Sequence, residues 1–158
     1  MSSRASLILL VCLAGCGFQL RGAATVPPEM SRTYIETSDR QSLFYRRLRD
    51  SFRKAGVDIV ESPLDATATF SIRADDTGQR VLSVSARNVP TEFEVYYTIV
   101  YDVTAERGTL LARRTQTLTR DYTWDETQVL GKEREERVLR ESIVNDLVRV
   151  VLIQLSAI

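Results

Sequence analysis

The side chains that could perform chemistry are few, because this 158-residue chain has two cysteines, Cys12 and Cys16, and no histidine. Without histidine, the chain lacks the base of Ser-His and Cys-His catalysis and the most common metal ligand. Glu92 and Glu94 resemble a glycosidase carboxylate pair, but acids two residues apart on a strand are usually a solvated face. No Gly-rich loop follows a strand to hold a phosphate. We therefore predict a protein that is not an enzyme and needs no cofactor or metal ion.

Cys16 follows a short N-terminal segment with one positive charge, Arg4, and an apolar run too short to span a bilayer. This layout is typical of a secretory signal peptide. The stretch Leu13-Ala14-Gly15-Cys16 resembles the bacterial lipobox, in which the cysteine becomes the acylated first residue of the mature chain. We expect residues 1–15 to be removed and Cys16 to carry several acyl chains, palmitate among them, which anchor more stably than one. The alternative is an ordinary cleavage site beside an unmodified cysteine.

The residue after Cys16 is Gly17 rather than aspartate, which in bacterial lipoproteins resembles outer-membrane sorting. No later apolar run avoids charges over a membrane's thickness, so we predict a tethered chain that does not span the membrane. The 21 basic residues balance the 21 acidic ones, so no overall field favours nucleic acid. Since Cys12 leaves with the signal and Cys16 is modified, the mature domain must be stabilised by its core rather than by a disulfide.

The elements that follow predict an extended leader over residues 16–30 and a single domain over residues 31–158. "RTYIETS" favours a short strand, and "QSLFYRRLRDSFRKAGV" favours an amphipathic helix that Ser38-Asp39 caps and Gly56 ends. The apolar stripe of that helix comprises Leu43, Phe44, Leu48, Phe52 and Ala55. Its basic residues are Arg46, Arg47, Arg49, Arg53 and Lys54. We expect them to form a solvated or partner-facing surface rather than a site for lipid headgroups.

Three alternating segments predict an antiparallel meander. "ATATFSIRADDTGQRVLSVSA" keeps its apolar residues on one parity: Ala66, Ala68, Phe70, Ile72, Leu82, Val84 and Ala86. Within it, Asp75 to Gly78 is either a hairpin turn or a bulge in one long strand. "EFEVYYTIVYDVTA" also alternates, with Phe93, Val95, Tyr97, Ile99, Tyr101 and Val103 on one face. The turn "ERGT" then leads into "LLARRTQTLTRDYTW", after which Trp124 is either a lid on the core or an interface anchor.

The last segment, "KEREERVLRESIVNDLVRVVLIQLSAI", predicts a long helix that begins charged and becomes apolar around most of its circumference. Its apolar positions include Val138, Leu139, Ile143, Val144, Leu147, Val151 and Leu155. We expect its C-terminal part to be deeply covered. The fold class is therefore predicted as α+β, with two helices packed on a four-stranded, mostly antiparallel sheet in a two-layer sandwich.

Several motifs in this order resemble the LptE (RlpB) family of LPS-assembly lipoproteins. They are the lipobox, "CGFQLRG" from Cys16 to Gly22, Val26-Pro27 in the leader, the basic-faced helix ending in "RKAGV", the meander and the terminal helix. The resemblance covers essentially the whole chain. It implies an outer-membrane lipoprotein, lipid-anchored and facing the periplasm, that plugs the LptD β-barrel and helps to deliver lipopolysaccharide to the cell surface. The alternative is a lipid-anchored periplasmic adaptor of another envelope machine, such as a barrel-assembly accessory or a secretin pilot protein.

The topology of the meander predicts where lipopolysaccharide is contacted. Arg87, in the loop "RNVPT", and Lys132, just ahead of the last helix, should lie at the same end of the domain. A helix N-terminus with unpaired N–H groups favours anions, and two cations beside it would suit phosphorylated lipid A. Gly131 leaves room for a close approach. The alternative is that Arg87 and Lys132 are two solvated loop cations.

Overall fold

The computed structural model describes residues 26–125 and 129–158. The predicted signal peptide and lipidated Cys16 lie outside the described residues. Five strands form one mixed sheet in the order β2-β1-β3-β4-β5. Their bounds are Arg32–Glu36 (β1), Asp58–Val60 (β2), Ala68–Val84 (β3), Pro90–Ala105 (β4) and Gly108–Thr123 (β5). The α-helices of the described part are α1, Leu43–Lys54, and α2, Val129–Leu155.

The α+β class and the two layers are confirmed, but the predicted count of four strands is wrong. The additional strand is β2, which pairs parallel to β1, as β1 does to β3. The three long strands β3, β4 and β5 form the predicted antiparallel meander. Because β2 spans only three residues directly after the helix end, it is too short to show an alternating pattern.

The segment from Asp75 to Gly78 is neither a turn nor a bulge, because it pairs with β4 without a register shift inside the long strand β3. The shifts lie on either side, between Ile72 and Ala74 and between Val81 and Ser83. Each extra residue moves the following side chains to the other face of the sheet. A second extra residue returns them to the first face, so the predicted single apolar parity is wrong between the two shifts. Three of its members lie at or beyond the second shift and are exposed: Leu82 (46%), Val84 (52%) and Ala86.

The alternation of β4 is confirmed and builds the centre of the core. Val95, Tyr97, Ile99, Tyr101 and Val103 are buried on the face that meets both helices. The ring of Tyr101 stacks on Phe70 of β3 with centroids 5.2 Å apart, and Phe70 meets Phe52 of α1 edge to face at 5.6 Å. These aromatic contacts join the helix layer to the sheet.

Helix α1 has the predicted buried stripe and C-terminus but a different N-cap. Ser42 Oγ accepts a hydrogen bond from the backbone N–H of Tyr45 at 3.0 Å, so the predicted cap at Ser38-Asp39 is wrong. Asp39 instead closes the preceding turn by accepting from the N–H of Gln41. Gly56 adopts φ +84° after the helix, as a C′ glycine does, and the last carbonyls are satisfied by the following N–H groups.

Helix α2 begins at Val129, so Lys132 lies within its first turn and not ahead of it, contrary to the prediction. Ile143, Val144, Leu147, Val151 and Leu155 are buried as expected. Val138 (60% exposed) and Ile153 (42%) face outward, so the expected covering of the C-terminal part is incomplete within the described chain. At the other terminus Met30, the last residue of the predicted leader, is fully buried in the core.

Candidate functional site

The loop that carries Arg87 connects β3 to β4 and is held by its own hydrogen bonds. The N–H of Ser85 donates to the carbonyl of Val89 at 2.8 Å, and the N–H of Asn88 donates to the carbonyl of Ser85 at 2.9 Å. Asn88 adopts φ +60°, a left-handed conformation that asparagine tolerates better than most residues. The loop is therefore a compact turn that presents the exposed Arg87 at its tip.

Trp124 lies beside this loop, at the end of β5. Its backbone N–H donates to the carbonyl of Thr91 at 2.8 Å, which fixes the chain after β5 next to the start of β4. The indole packs edge to face on Phe93 with centroids 5.5 Å apart, and Phe93 stacks on Tyr122 at 5.8 Å. The half-buried Trp124 therefore covers one end of the core, as the lid interpretation predicted, and keeps one side open.

That open side of Trp124 forms part of a cleft of about 500 Å³. Its lining comprises Ser85, Arg87, Val89, Pro90, Thr91, Thr123, Trp124 and Asp125. The lining thus combines one guanidinium, one carboxylate, one indole and several hydroxyl groups. Such a combination can bind a ligand that has both an anionic group and an apolar part.

Lys132 lies in the first turn of α2, and its Nζ forms an ion pair with Glu135 Oε2 at 2.8 Å. The Lys132 side chain is only 17% exposed, whereas that of Glu135 is 44% exposed. An anion that binds Lys132 must therefore compete with the carboxylate of Glu135. A helix predicted to begin after Lys132 does not indicate this pair, because the i,i+3 spacing has meaning only inside a helix.

Arg87 follows β3 and Lys132 lies in the helix that follows β5, and these two strands end at the same end of the antiparallel meander. Burial raises the pKa of Tyr122, near the end of β5, and the charges of Glu136 and Glu135 in the first turns of α2 raise it further. Tyr122 in turn stacks on Phe93 beneath Trp124. The contacts found in the described residues connect Arg87 to the Trp124 cleft and Lys132 to Glu135, but not the two cations to each other.

The carboxylates considered for catalysis have structural partners. Glu94 forms an ion pair with Arg80 of β3 at 2.5 Å, and Glu92 accepts a hydrogen bond from Ser83 Oγ at 2.8 Å. In the part of the chain that the structure describes, no group of three or more His, Cys, Asp or Glu residues is placed to hold a metal ion. No helix in residues 26–125 or 129–158 is both long and apolar enough to cross a membrane.

The family model described as LptE, lipopolysaccharide-assembly, matches residues 30–155. The chain belongs to the LptE family. The range begins at the buried Met30 and ends at the last residue of α2, so it contains both helices and all five strands. The predicted family is confirmed, and with it the role of an envelope lipoprotein in lipopolysaccharide assembly.

Curated LptE proteins are similar over most of this chain. The chain is 29% identical to the LPS-assembly lipoprotein LptE of Yersinia enterocolitica, over 92% of this chain and 72% of that protein. It is 26% identical to LptE of Yersinia pestis, over 86% of this chain and 66% of that protein. The chain thus spans about two thirds of these relatives, whose names assign LPS assembly to them.

Solved LptE-like structures share the fold. Lipoprotein B of Nitrosomonas europaea is similar with a TM-score of 0.74 and 26% identity, over 89% of this chain and 91% of that one. Rare lipoprotein B of Shewanella oneidensis is similar with a TM-score of 0.69 and 21% identity, over 80% of this chain and 94% of that one. The arrangement of two helices on a mixed sheet therefore recurs in lipoproteins of other bacteria.

Proposed function

We propose that this LptE-family protein is an outer-membrane lipoprotein, anchored through Cys16, that sits as a plug in the LptD β-barrel and contacts lipopolysaccharide directly. The observation that carries the proposal is the family match over residues 30–155. In this proposal the lipid anchor holds the domain at the membrane, the LptD barrel is its protein partner, and lipopolysaccharide is the ligand that the complex transports. Its role is to bind and position, and none of the paired carboxylates is assigned to catalysis.

The face of the sheet opposite the helices supports the plug role, because its side chains are polar. Thr98 and Thr117 share a hydroxyl hydrogen bond at 2.8 Å across β4 and β5. Arg80 pairs with Glu94 on the same face. The interiors of transmembrane β-barrels are polar, so a domain enclosed by one needs such a surface rather than an apolar stripe.

Co-purification tests the partner. The full, tagged protein is isolated from detergent-solubilised outer membranes, and the bound proteins are identified by mass spectrometry. The expected result is a large β-barrel of the LptD family in a stoichiometric complex. A secretin or a barrel-assembly component in its place would instead support the adaptor alternative and refute the plug role, and so would recovery of soluble periplasmic proteins alone.

The proposed lipopolysaccharide contact combines Arg87, Lys132 and the Trp124 cleft. Arg87 supplies an exposed guanidinium that can bind a phosphate through two hydrogen bonds, and Trp124 supplies an apolar wall in the same cleft. Lys132 adds a second cation in the first turn of α2, where backbone N–H groups also favour an anion. A phosphorylated glycolipid has the matching chemistry, because it carries its phosphates beside its acyl chains.

The double variant Arg87→Asp/Lys132→Asp tests this contact in a lipopolysaccharide-binding assay with the full protein in detergent. We expect binding to weaken while barrel co-purification and the far-UV circular dichroism spectrum stay unchanged. Arg107→Asp is the matched control, because Arg107 is an exposed loop cation in the β4–β5 turn at the opposite end of the meander. Unchanged binding by the double variant, or equal weakening by the control, would refute the site.

A further inference from the structure

The long strand β3 has a free edge. Strand β1 pairs with β3 only from Ala68 to Ser71, and β1 itself ends at Glu36. From Ile72 to Val84, β3 pairs with β4 on one side and has no neighbouring strand on the other in the described part of the chain. Unpaired backbone N–H and C=O groups along such an edge can accept another extended strand.

The central part of this edge is regular and weakly protected. Between the two register shifts, the eight residues from Ala74 to Val81 pair one-to-one with β4. Proline, the residue that most effectively blocks an edge, is absent from this segment. At its C-terminal end lie Val81, Leu82 and Val84, three of the large apolar residues that the described chain exposes. Edges of this kind associate unless charges or covering elements prevent it.

The side chains of this segment alternate between the two faces of the sheet. Asp76, Gly78 and Arg80 lie opposite Thr98, Tyr96 and Glu94 of β4, on the face away from the helices. Arg80 pairs with Glu94, and Asp76 is exposed with no ion pair in the described chain. The edge therefore presents an acidic and a basic residue on one face, separated by the glycine.

This spacing makes the edge complementary to itself. In an antiparallel pair related by a two-fold axis through the sheet, opposed residues lie on the same face and are symmetric about the axis. With the axis at Gly78, Asp76 of each copy would face Arg80 of the other. An axis at Asp76 or at Arg80 would instead place two like charges opposite each other. An axis at Thr77 or Gln79 would place neither Asp76 nor Arg80 opposite a charged residue. Opposite charges stabilise cross-strand pairs and like charges weaken them.

We infer that β3 is a self-association edge, through which two copies of this chain pair antiparallel over Asp75–Val81 with Gly78 at the two-fold axis. The occupant is a second copy because the charge pattern is satisfied by its own sequence read in reverse. Gly78 suits the axis because it carries no side chain that would meet its own copy. The side chain of Tyr96 already occupies the space beside it, where an added Cβ would lie 2.7 Å from the hydroxyl oxygen. This inference is independent of the barrel partner proposed above.

Charge exchange in the full protein, in detergent and without a barrel partner, tests the register by sedimentation velocity over a range of concentrations. We expect the wild type to show a concentration-dependent dimer. Asp76→Arg and Arg80→Asp should each weaken self-association about tenfold, because two attractive pairs become repulsive. An equimolar mixture of the two variants should recover the dimer, because every cross-strand pair again joins opposite charges. Glu106→Arg, the same charge change at an exposed position in the β4–β5 turn, is the control that leaves the dimer unchanged.

Each other outcome overturns the inference. A wild type that remains monomeric at all concentrations excludes the dimer. Variants that are folded by circular dichroism and associate like the wild type exclude the edge, and a mixture that fails to recover excludes the register. If the wild type is monomeric and Asp76→Arg loses the barrel in co-purification, the edge serves the barrel instead of a second copy. That last result would overturn self-pairing while leaving the plug role intact.

Discussion

Arg73 binds Asp102 through two hydrogen bonds, from Nε to Oδ1 at 2.8 Å and from Nη2 to Oδ2 at 3.2 Å. Arg73 is the extra residue at the first register shift of β3, and its Nη1 also lies 3.1 Å from Glu36 Oε2, at the end of β1. One guanidinium thus joins three strands at the point where β1 stops and the free edge of β3 begins. A bidentate pair of this kind fixes geometry as well as charge.

The first prediction concerns Asp102→Asn. The hydrogen bonds from Arg73 hold the pKa of Asp102 below its usual 3.8, so the folded state favours the carboxylate. The stabilisation is present above the unfolded pKa and is lost as the pH falls through the lower folded pKa. We expect the variant to lower the free energy of unfolding by about 1 kcal/mol at neutral pH, a modest value because water reaches Arg73.

Urea unfolding of both proteins over a pH series measures this difference, which should shrink as the solution is acidified below pH 3.8. Asp121→Asn is the matched control, because Asp121 is an exposed acid on β5, and it should show no such gap. A gap between the wild type and Asp102→Asn that stays constant with pH would contradict the assignment to this ion pair.

The second prediction contrasts two glycines. Gly131 lies in the first turn of α2, and an added Cβ would meet nothing within 4 Å, so Gly131→Ala should stabilise the protein by about 0.5–1 kcal/mol. Gly78→Ala should destabilise it, because the added Cβ would lie 2.7 Å from the Tyr96 hydroxyl and 2.9 Å from the ring carbon that carries it. Thermal unfolding of the two variants checks both signs, and equal shifts in one direction would contradict the packing described here.

The third prediction concerns Cys16. Mass spectrometry of the N-terminal peptide from membrane-isolated protein should find Cys16 as the first residue, with the added mass of acyl chains. Cys16→Ser should abolish the acylation and release the chain from the membrane fraction. Cys12→Ser should change neither, because the proposed cleavage before Cys16 removes residue 12. An unmodified Cys16, or a cleavage site elsewhere, would refute the lipoprotein anchor.

The sequence predicted the elements whose patterns are unbroken. Strand β4 alternates from Val95 to Val103 without an extra residue of its own, because the residues inserted at the register shifts along this stretch belong to β3 and β5. Its buried face therefore follows directly from the period of two. Strand β3 does not allow this, because an extra residue near Arg73 inverts the faces, and nothing in the residue types marks the position of a bulge. Tertiary pairing with β4 selects the bulge. Leu82 and Val84 lie at and beyond the second register shift, toward the end of β3, where both are exposed.

The candidate site was predictable to the extent that it follows from topology. The loop around Arg87 had to connect two antiparallel strands, and its residues 85–89 do so. The sequence predicts the start of α2 at Lys132 rather than at Val129, because the charged run after Gly131 has no apolar periodicity that would indicate where the helix begins. The pairing of Lys132 with Glu135 depends on that helical turn, and the packing of Trp124 on Phe93 depends on contacts between strands distant in sequence.

The last prediction concerns Glu135→Gln. Glu135 holds Lys132 in an ion pair at 2.8 Å, and an anionic ligand can bind Lys132 only by displacing it. Removing the carboxylate should therefore strengthen lipopolysaccharide binding, by about two- to fivefold, since an exposed ion pair contributes between a few tenths and 1 kcal/mol. The measurement is a titration of the full protein in detergent with purified lipopolysaccharide.

Glu133→Gln is the matched control for that titration. Glu133 is an exposed acid in the same turns of α2, with no ion pair found in the described residues, so its replacement changes the net charge equally but leaves Lys132 paired. The gain from Glu135→Gln should also vanish in a Lys132→Gln background, because the two residues then no longer couple. Equal gains from both glutamate variants would indicate a general charge effect. A gain that persists without Lys132 would remove this lysine from the site and leave Arg87 and the Trp124 cleft as its remaining parts.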